Sequence, residues 1–244
     1  MRLSVLDQSI AVAGRPQDLS IRNTVALAQH CEALGYERFW VSEHHNHPTI
    51  VGTAPEIVIA AIAATTKSIR IGSAGIMLPH YAPFKVAEVF RVLDALAPGR
   101  IDMGLGRAPG SDRLTSMALN PHPDDVHDQF PRQIQELQCW LSCSPLPDGH
   151  PFARVVAHPT GPTFPTMWVL GSSDYGAQLA AYLGMPYAFA GNSLDCRTAI
   201  VLGSKPSLAS ILNDSLSSVA MFQSLIVCVG SASEEPWLVW LIGV

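Results

Sequence analysis

The chain has 244 residues, of which 48% are hydrophobic and 14% are charged, so it is long enough to bury one sizeable core. Its formal net charge is -5 and it has no run of Lys or Arg, which argues against nucleic acid or an anionic membrane as the main partner. The five cysteines, an odd number, and the lack of a signal-peptide pattern or a sufficiently apolar stretch of about 18 residues predict a reduced, soluble, cytoplasmic protein.

Strand-like and helix-like segments alternate from the start of the chain to residue 190. The first strand, residues 3–9, is short and apolar, and the helix after it, residues 17–35, ends at Gly35. The same alternation predicts further strands at 38–43, 69–78, 100–106, 167–171 and 187–190, and further helices at 55–66, 84–96, 130–141 and 176–183. The segment before the helix at 130–141 is predicted to be a polar loop.

Strands that are apolar on both faces and are separated by helices predict a parallel sheet covered by helices. Polar and glycine-rich residues follow four of the strands directly, at 43–47, 73–80, 107–112 and 172–175. A TIM-type barrel builds its active site from several strand ends, so this pattern favours a barrel over a doubly wound sheet. We expect an incomplete (β/α)8-type barrel of about six βα units at residues 1–190, with 191–244 as an atypical tail of the same domain.

The stretch "WVSEHHNHP" holds three histidines, His44, His45 and His47, which invite a metal site or a proton-transfer site. On an extended strand His44 and His45 point to opposite faces, so only His45 and His47 are expected to share one. His80 and Asp112 are the plausible further ligands at other strand ends. We predict no metal site, and the remaining interpretations are one acid/base residue or ordinary polar loop residues.

Two other stretches carry groups that suit a phosphate. In "GLGRAPG", Pro109 stands where a dinucleotide fingerprint needs glycine, which leaves Arg107 as a bidentate phosphate ligand or a surface ion-pair partner. In "LGSSDYGAQL", residues 171–173 leave a strand before a helix that Asp174 is expected to cap, so N–H groups, hydroxyls and the positive helix end face one point. Together the two stretches predict a phosphate cradle.

The third strand ends in small residues, Ser73, Ala74 and Gly75, within "IGSAGIMLP". Small residues at a strand end let a flat ring lie against the backbone. A tightly packed layer of the barrel explains them equally well. Both interpretations stay open on this stretch alone.

Taken together, these stretches resemble the bacterial-luciferase-like family of flavin-dependent monooxygenases. The matching segments are "LGYERFWVSEHHN", "APEIVIAAIAATTKSIRIGSAGIMLPHYAPFKVAEVFRVLDALAPGRIDMGLGRAPGSD" and "PTMWVLGSSDYGAQLAAYLGMPYAFA". They occur in family order and cover most of the chain to Ala190.

The resemblance implies a TIM-type barrel that binds FMN at its C-terminal face. It implies that His44 is the active-site histidine near the flavin, and that a non-prolyl cis peptide bond between Ala74 and Gly75 supports the flavin ring. It implies a phosphate end formed by Arg107, Gly171, Ser172, Ser173, Tyr175 and Gly176. Apolar walls such as Ile76, Met77 and Leu78 are expected to exclude water.

The resemblance also implies the reaction. Reduced FMN, supplied by a separate flavin reductase, reacts with O2 to give a C4a-peroxyflavin that oxidises a small, largely apolar organic substrate such as an aldehyde or ketone. A homodimer formed through helices near the second and third strands is expected. The alternatives are a flavin or deazaflavin oxidoreductase that transfers hydride, an inactive flavin-binding fragment and, outside the family, a metal-dependent hydrolase.

The tail departs from the resemblance. Ten serines and few charged residues follow Gly191, and the amphipathic helical pattern is lost. We hypothesise that the reading frame shifts near Ala190 or Gly191, or that the product is a truncated variant. An uninterrupted genomic reading frame without family-like sequence in the other frames would refute this hypothesis.

Overall fold

The computed structural model of the chain describes residues 3–108, 111–121, 127–190, 227–231 and 234–239. Within these ranges no helix combines the length and the apolarity needed to cross a membrane. The strands are β1 (Ser4–Asp7), β2 (Arg38–Val41), β3 (Arg70–Met77), β4 (Ile101–Gly106), β5 (Thr166–Gly171), β6 (Tyr187–Ala190), β7 (Val227–Ser231) and β8 (Glu234–Val239). The helices are α1 (Gln17–Ala33), α2 (Pro55–Thr65), α3 (Pro83–Leu96), α4 (Arg113–Leu119), α5 (Phe130–Ser142) and α6 (Asp174–Leu183).

The strands form one sheet in chain order. Strands β1 to β6 are parallel neighbours, β7 is antiparallel to β6, β8 is antiparallel to β7, and β8 comes close to β1. The six parallel strands with their helices confirm the predicted incomplete α/β barrel. Residues 191–226 and 240–244 lie outside the described residues, and so does most of the predicted atypical tail.

The sheet separates two apolar clusters, because successive side chains of a strand point to opposite faces. Phe39, Ile71 and Met103 point outward and pack with helix residues in the larger cluster. The smaller cluster lies on the other face and consists of Leu6, Trp40, Trp168 and Ala188, with Ala74 and Leu170 packed against it. Each large side chain that the clusters bury contributes about 1.5 to 3 kcal/mol relative to exposure.

A buried carboxylate joins three strands near their amino ends. Asp102 is fully buried and accepts hydrogen bonds from Arg38 Nε at 3.2 Å, Arg70 Nη2 at 2.5 Å and Trp40 Nε1 at 3.0 Å. A buried carboxylate is tolerated when such charged and polar donors satisfy it. These bonds fix β2, β3 and β4 to one another at the end of the barrel that holds no predicted site residue.

Helix α4 lies where we predicted a polar loop. Of its described residues Ser116 alone is buried, and Leu114 and Met117 are exposed, so the sequence has no apolar stripe that would reveal a helix. The Asp112 side chain caps the helix by accepting from Thr115 N at 3.0 Å. The helix therefore depends on its cap and on tertiary contacts rather than on an amphipathic pattern.

Glu32, near the end of α1, holds the loop that leads into β3. Its Oε1 atom accepts from the backbone N–H groups of Lys67, Ser68 and Ile69 at 2.6 to 3.0 Å, and also from the Ser68 hydroxyl. Desolvation opposes ionisation of Glu32, but the three backbone hydrogen bonds outweigh it and lower the pKa of Glu32 to about 2 from its ordinary 4.5. The ionised carboxylate is thus part of the folded structure.

Glu32→Gln should lower the free energy of unfolding by about 1 to 2 kcal/mol at neutral pH, because a neutral oxygen accepts these bonds more weakly. The folded-state pKa lies below the unfolded one, so the contribution of Glu32 is fully present above pH 4.5 and is lost as the pH falls towards 2. Urea unfolding at several pH values measures this. The control is Glu88→Gln, since Glu88 pairs loosely with Lys85 at 3.4 Å; equal pH dependence of both variants would contradict the prediction.

Candidate functional site

The predicted site residues follow parallel strands, so they lie at one edge of the sheet, where the carboxyl ends of the strands meet. The residues concerned lie in the middle of β3, after β2 and β4, and from the last residue of β5 onward. Sequence reasoning predicted this common edge.

His44 follows β2 and is half-buried. Its backbone N–H donates to Gly52 O at 3.0 Å, and its Nδ1 atom lies 3.3 Å from Ser42 Oγ. Burial, and next the His47 ring, lower the pKa of His44, although the Glu43 carboxylate acts in the opposite direction. His44 is therefore neutral at neutral pH and can accept a proton.

The extended-strand geometry, on which His45 and His47 were expected to share a face, does not reach the histidines. Strand β2 ends at Val41, and Asn46 has a positive φ of 51°, so the chain has already turned at the histidines. The His44 and His47 rings lie 6.0 Å apart, whereas the His45 ring faces His80 at 5.9 Å.

The other histidines have local partners. His45 Nε2 lies 2.7 Å from Glu43 Oε1, and His47 Nδ1 accepts from Ile50 N at 3.1 Å. Asp112, the other residue considered as a metal ligand, caps α4 and accepts from Asn46 Nδ2 at 3.1 Å. Among the residues described, no group of three or more His, Cys, Asp or Glu side chains is placed to hold a metal.

The peptide bond between Ala74 and Gly75 is cis, as the family resemblance implies. It lies where the register of β3 against β4 shifts, between Ser73 and Ile76. Across this bulge Ser73 Oγ donates to Gly104 O at 3.0 Å and accepts from Gly104 N at 3.1 Å. The buried Ser73 hydroxyl thus replaces bonds of the strand ladder, and a contact between Ser73 and a cofactor stays a prediction.

The packing interpretation of the small residues is confirmed at Gly75. A Cβ atom on Gly75 would lie 2.9 Å from Gly104 O, so Gly75 is needed for close packing of the two strands. Ala74 is half-buried against the smaller cluster, and its contact with a flat ring stays a prediction. Ile76 and Leu78 are buried in the larger cluster, and the expectation that they and Met77 wall the site stays a prediction.

Arg107 and Tyr175, which lie far apart in the sequence, are brought together. The Arg107 guanidinium carbon lies 4.1 Å from the centroid of the Tyr175 ring, and both side chains are exposed. The stack holds a cation beside the loop between β5 and α6. Pro109 and Gly110, which follow Arg107, lie outside the described residues.

The loop between β5 and α6 is held by a residue that sequence reasoning missed. Tyr187 OH donates to Gly171 O at 2.6 Å and lies 3.2 Å from Ser173 O. Across a trans peptide the C=O and the next N–H point in opposite directions, so the N–H groups of Ser172 and Asp174 point away from Tyr187. The contacts of the Tyr187 hydroxyl with these two carbonyl groups thus leave the N–H groups of Ser172 and Asp174 on the same side of the loop.

The helix cap differs from the prediction. Ser173, not Asp174, occupies the capping position of α6, and within the described chain its side chain makes no capping hydrogen bond. Ser172 and Ser173 are exposed, and Gly176 is buried in the first turns. The positive end of α6 is therefore open to an anion.

The chain is similar to several known proteins. The family model described as Luciferase-like monooxygenase matches residues 1–237. YwcH, an uncharacterised protein of Bacillus subtilis (strain 168), is 52% identical over 188 residues, which cover 77% of this chain and 56% of YwcH. N-acetyl-S-alkylcysteine monooxygenase of the same organism is 43% identical over 190 residues, 78% of this chain and 57% of the relative.

A solved structure is also similar. The crystal structure of apo-MsnO8 matches with a TM-score of 0.69 and 43% sequence identity, over 76% of this chain and 54% of that one. The chain therefore spans about half the length of the relatives that it matches. The family model extends into the tail, beyond the region on which the sequence resemblance was based.

The electrostatic coupling between His44 and His47 can be measured without a ligand. His47→Asn should raise the pKa of His44, because the variant removes the neighbouring imidazole while Asn Oδ1 can still accept from Ile50 N. Histidine titration by NMR checks this, with His30→Asn on the exposed face of α1 as control. An unchanged His44 titration in His47→Asn would contradict the arrangement.

Proposed function

This chain belongs to the luciferase-like monooxygenase family, and we propose that it is an FMN-dependent monooxygenase that acts on a small, largely apolar organic substrate. The observation that carries the proposal is the stack of Arg107 on Tyr175 beside the Ser172–Ser173 loop, at the same sheet edge as His44. A cation, two hydroxyls and an open helix end make a donor set for a phosphate monoester dianion. The residues present therefore fit the phosphate end of FMN.

The proposed position of the flavin ring is beside the cis bond of β3. Ala74 presents a small apolar surface, and the neutral His44 side chain follows the neighbouring strand. Bound FMN in its reduced form supplies two electrons, so that one atom of O2 enters the substrate and the other leaves as water. His44 Nδ1 is next to Ser42, which leaves Nε2 as the atom proposed to accept and return a proton.

The partners are part of the same proposal. We propose O2 as co-substrate and a separate flavin reductase as the source of reduced FMN. Ile57 on α2 and Val92 and Leu96 on α3 are exposed apolar side chains, which supports a homodimer formed through these helices. Aldehydes and ketones are the first substrates to assay. The similarity to N-acetyl-S-alkylcysteine monooxygenase adds S-alkyl compounds to this set.

The proposal is tested by mixing the purified chain and reduced FMN with air-saturated buffer and following the absorbance of oxidised FMN. We expect the absorbance of oxidised FMN to appear in a slow phase that is absent with free FMN. His44→Ala should abolish this slow phase, because the variant removes the proton acceptor. His30→Ala is the control. Tight binding of reduced FMN without a slow phase would favour hydride transfer or an inactive flavin-binding chain, and absence of binding by the folded chain would refute the proposal.

The variant Tyr187→Phe tests binding of the phosphate separately from binding of the flavin ring. The variant keeps the aromatic ring of the side chain but removes the hydroxyl that donates to the carbonyl of Gly171. We expect reduced FMN to bind about five- to tenfold more weakly, which corresponds to a loss of about 1 kcal/mol of binding free energy. Reduced riboflavin, which has no phosphate, should bind as it does to the wild type. Anaerobic flavin titrations measure both, with Tyr182→Phe on the exposed face of α6 as control. Equal weakening for both flavins would contradict a role at the phosphate.

A further inference from the structure

The most buried ionisable group near the candidate site is one that the proposed chemistry does not use. Glu43 is fully buried, and its two oxygens accept three hydrogen bonds. Oε1 accepts from Tyr81 OH at 2.6 Å and lies 2.7 Å from His45 Nε2, and Oε2 accepts from Met77 N at 2.9 Å. The partners come from the β2 exit, from the last residue of β3 and from the segment after it.

The Met77 bond has a reason in the sheet. Strand β2 has four residues and β3 has eight, and their pairing ends with Val41 opposite Ser73. Beyond that point the N–H groups of β3 that face β2 lack a strand to bond to. The Glu43 carboxylate stands in for the missing strand at Met77, two residues after the cis Ala74–Gly75 bond.

We infer that Glu43 is a positioning residue: its carboxylate fixes the β2 exit, which carries His44, to the β3 exit, which carries the cis Ala74–Gly75 bond. The inference rests on the proposed function for the roles of His44 and Ala74–Gly75. It goes beyond that function because it states what keeps the acid/base group and the surface proposed for the flavin ring at a constant separation.

An ionised carboxylate satisfies these three partners when all of them donate. Tyr81 OH, Met77 N–H and a His45 ring N–H are all donors, and an ionised carboxylate is a pure acceptor. In Glu43→Gln the Met77 N–H still needs the amide oxygen, so the NH2 group faces Tyr81 OH and His45 Nε2, which can bond to it only as acceptors. The isosteric variant therefore keeps the volume of the side chain, removes its charge, and keeps all three contacts only if Tyr81 and His45 change from donors to acceptors.

The charge of Glu43 acts on its surroundings as well. The pKa values of Glu56, at the start of α2, and of Tyr81 are both raised. Burial is the largest cause for each, and the negative charge of Glu43 is a further cause. Towards His44 the carboxylate acts in the favourable sense, since it opposes the lowering of the His44 pKa by burial and by His47. Loss of the Glu43 charge should therefore lower the pKa of His44 further.

The test compares Glu43→Gln with Glu32→Gln, which also removes a carboxylate that binds backbone N–H groups, but at the opposite end of β3. By NMR of the chain without flavin, we expect the His44 pKa to fall in Glu43→Gln and to stay unchanged in Glu32→Gln. In the reduced FMN experiment we expect the duration of the slow phase to fall about ten- to a hundredfold in Glu43→Gln. A reacting group that is out of position has an effect of this size. The affinity for reduced FMN should change less than threefold in both variants.

If Glu43→Gln does not fold, Tyr81→Phe replaces it in the test. This variant removes the hydroxyl that donates to Glu43 and keeps the aromatic ring of residue 81. It should shorten the slow phase to an intermediate extent. Equal behaviour of the Glu43, Tyr81 and Glu32 variants in both measurements would overturn the inference. If the wild type shows no flavin binding, the proposed function fails, and the His44 titration still decides whether Glu43 acts on the neighbouring histidine.

Discussion

The close packing of β3 against β4 is the constraint on which the rest of the sheet depends. A Cβ atom on Gly104 would lie 2.3 Å from Ser73 O, so any larger residue would force the strands apart. At this distance the Ser73 hydroxyl can bridge the register shift with two bonds to Gly104. The same approach lets Asp102 reach Arg38 and Arg70 towards the amino ends. One contact between backbones thus controls both ends of the barrel interior.

The two ends use buried charge differently. Asp102 is bonded to two arginines and an indole, so its negative charge is neutralised within the protein. Glu43, equally buried, has a phenol, a backbone N–H and a histidine ring as partners. Its charge is less compensated, and it acts on the titratable groups around it. The amino end is therefore suited to stability, and the carboxyl end to proton chemistry.

The extent to which sequence predicted the structure follows from the range of the interactions involved. Strand and helix limits were predicted to within two residues, because apolar runs and helical spacing are local signals. Helix α4 was missed because its stability comes from the Asp112 cap and from tertiary contacts. The extended geometry considered for the histidines does not hold, because β2 ends at Val41 and Asn46 has a positive φ. Glu43 stood in the quoted motif, but its partner Tyr81 is 38 residues away, and no local pattern indicates Tyr187.

The elements of the proposed site divide the work of binding from the work of chemistry. The residues proposed to bind the phosphate lie on the segments after β4 and β5, whereas His44 follows β2, so their contacts with a phosphate would be the same before and during reaction at the flavin ring. They can raise affinity but cannot by themselves speed the chemical step. His44 and its supports belong to β2 and β3, where proton affinity and position change the barrier. Because Ser73 and Gly104 bond β3 to β4, the sheet would set the distance between the proposed sites of the flavin ring and of the phosphate.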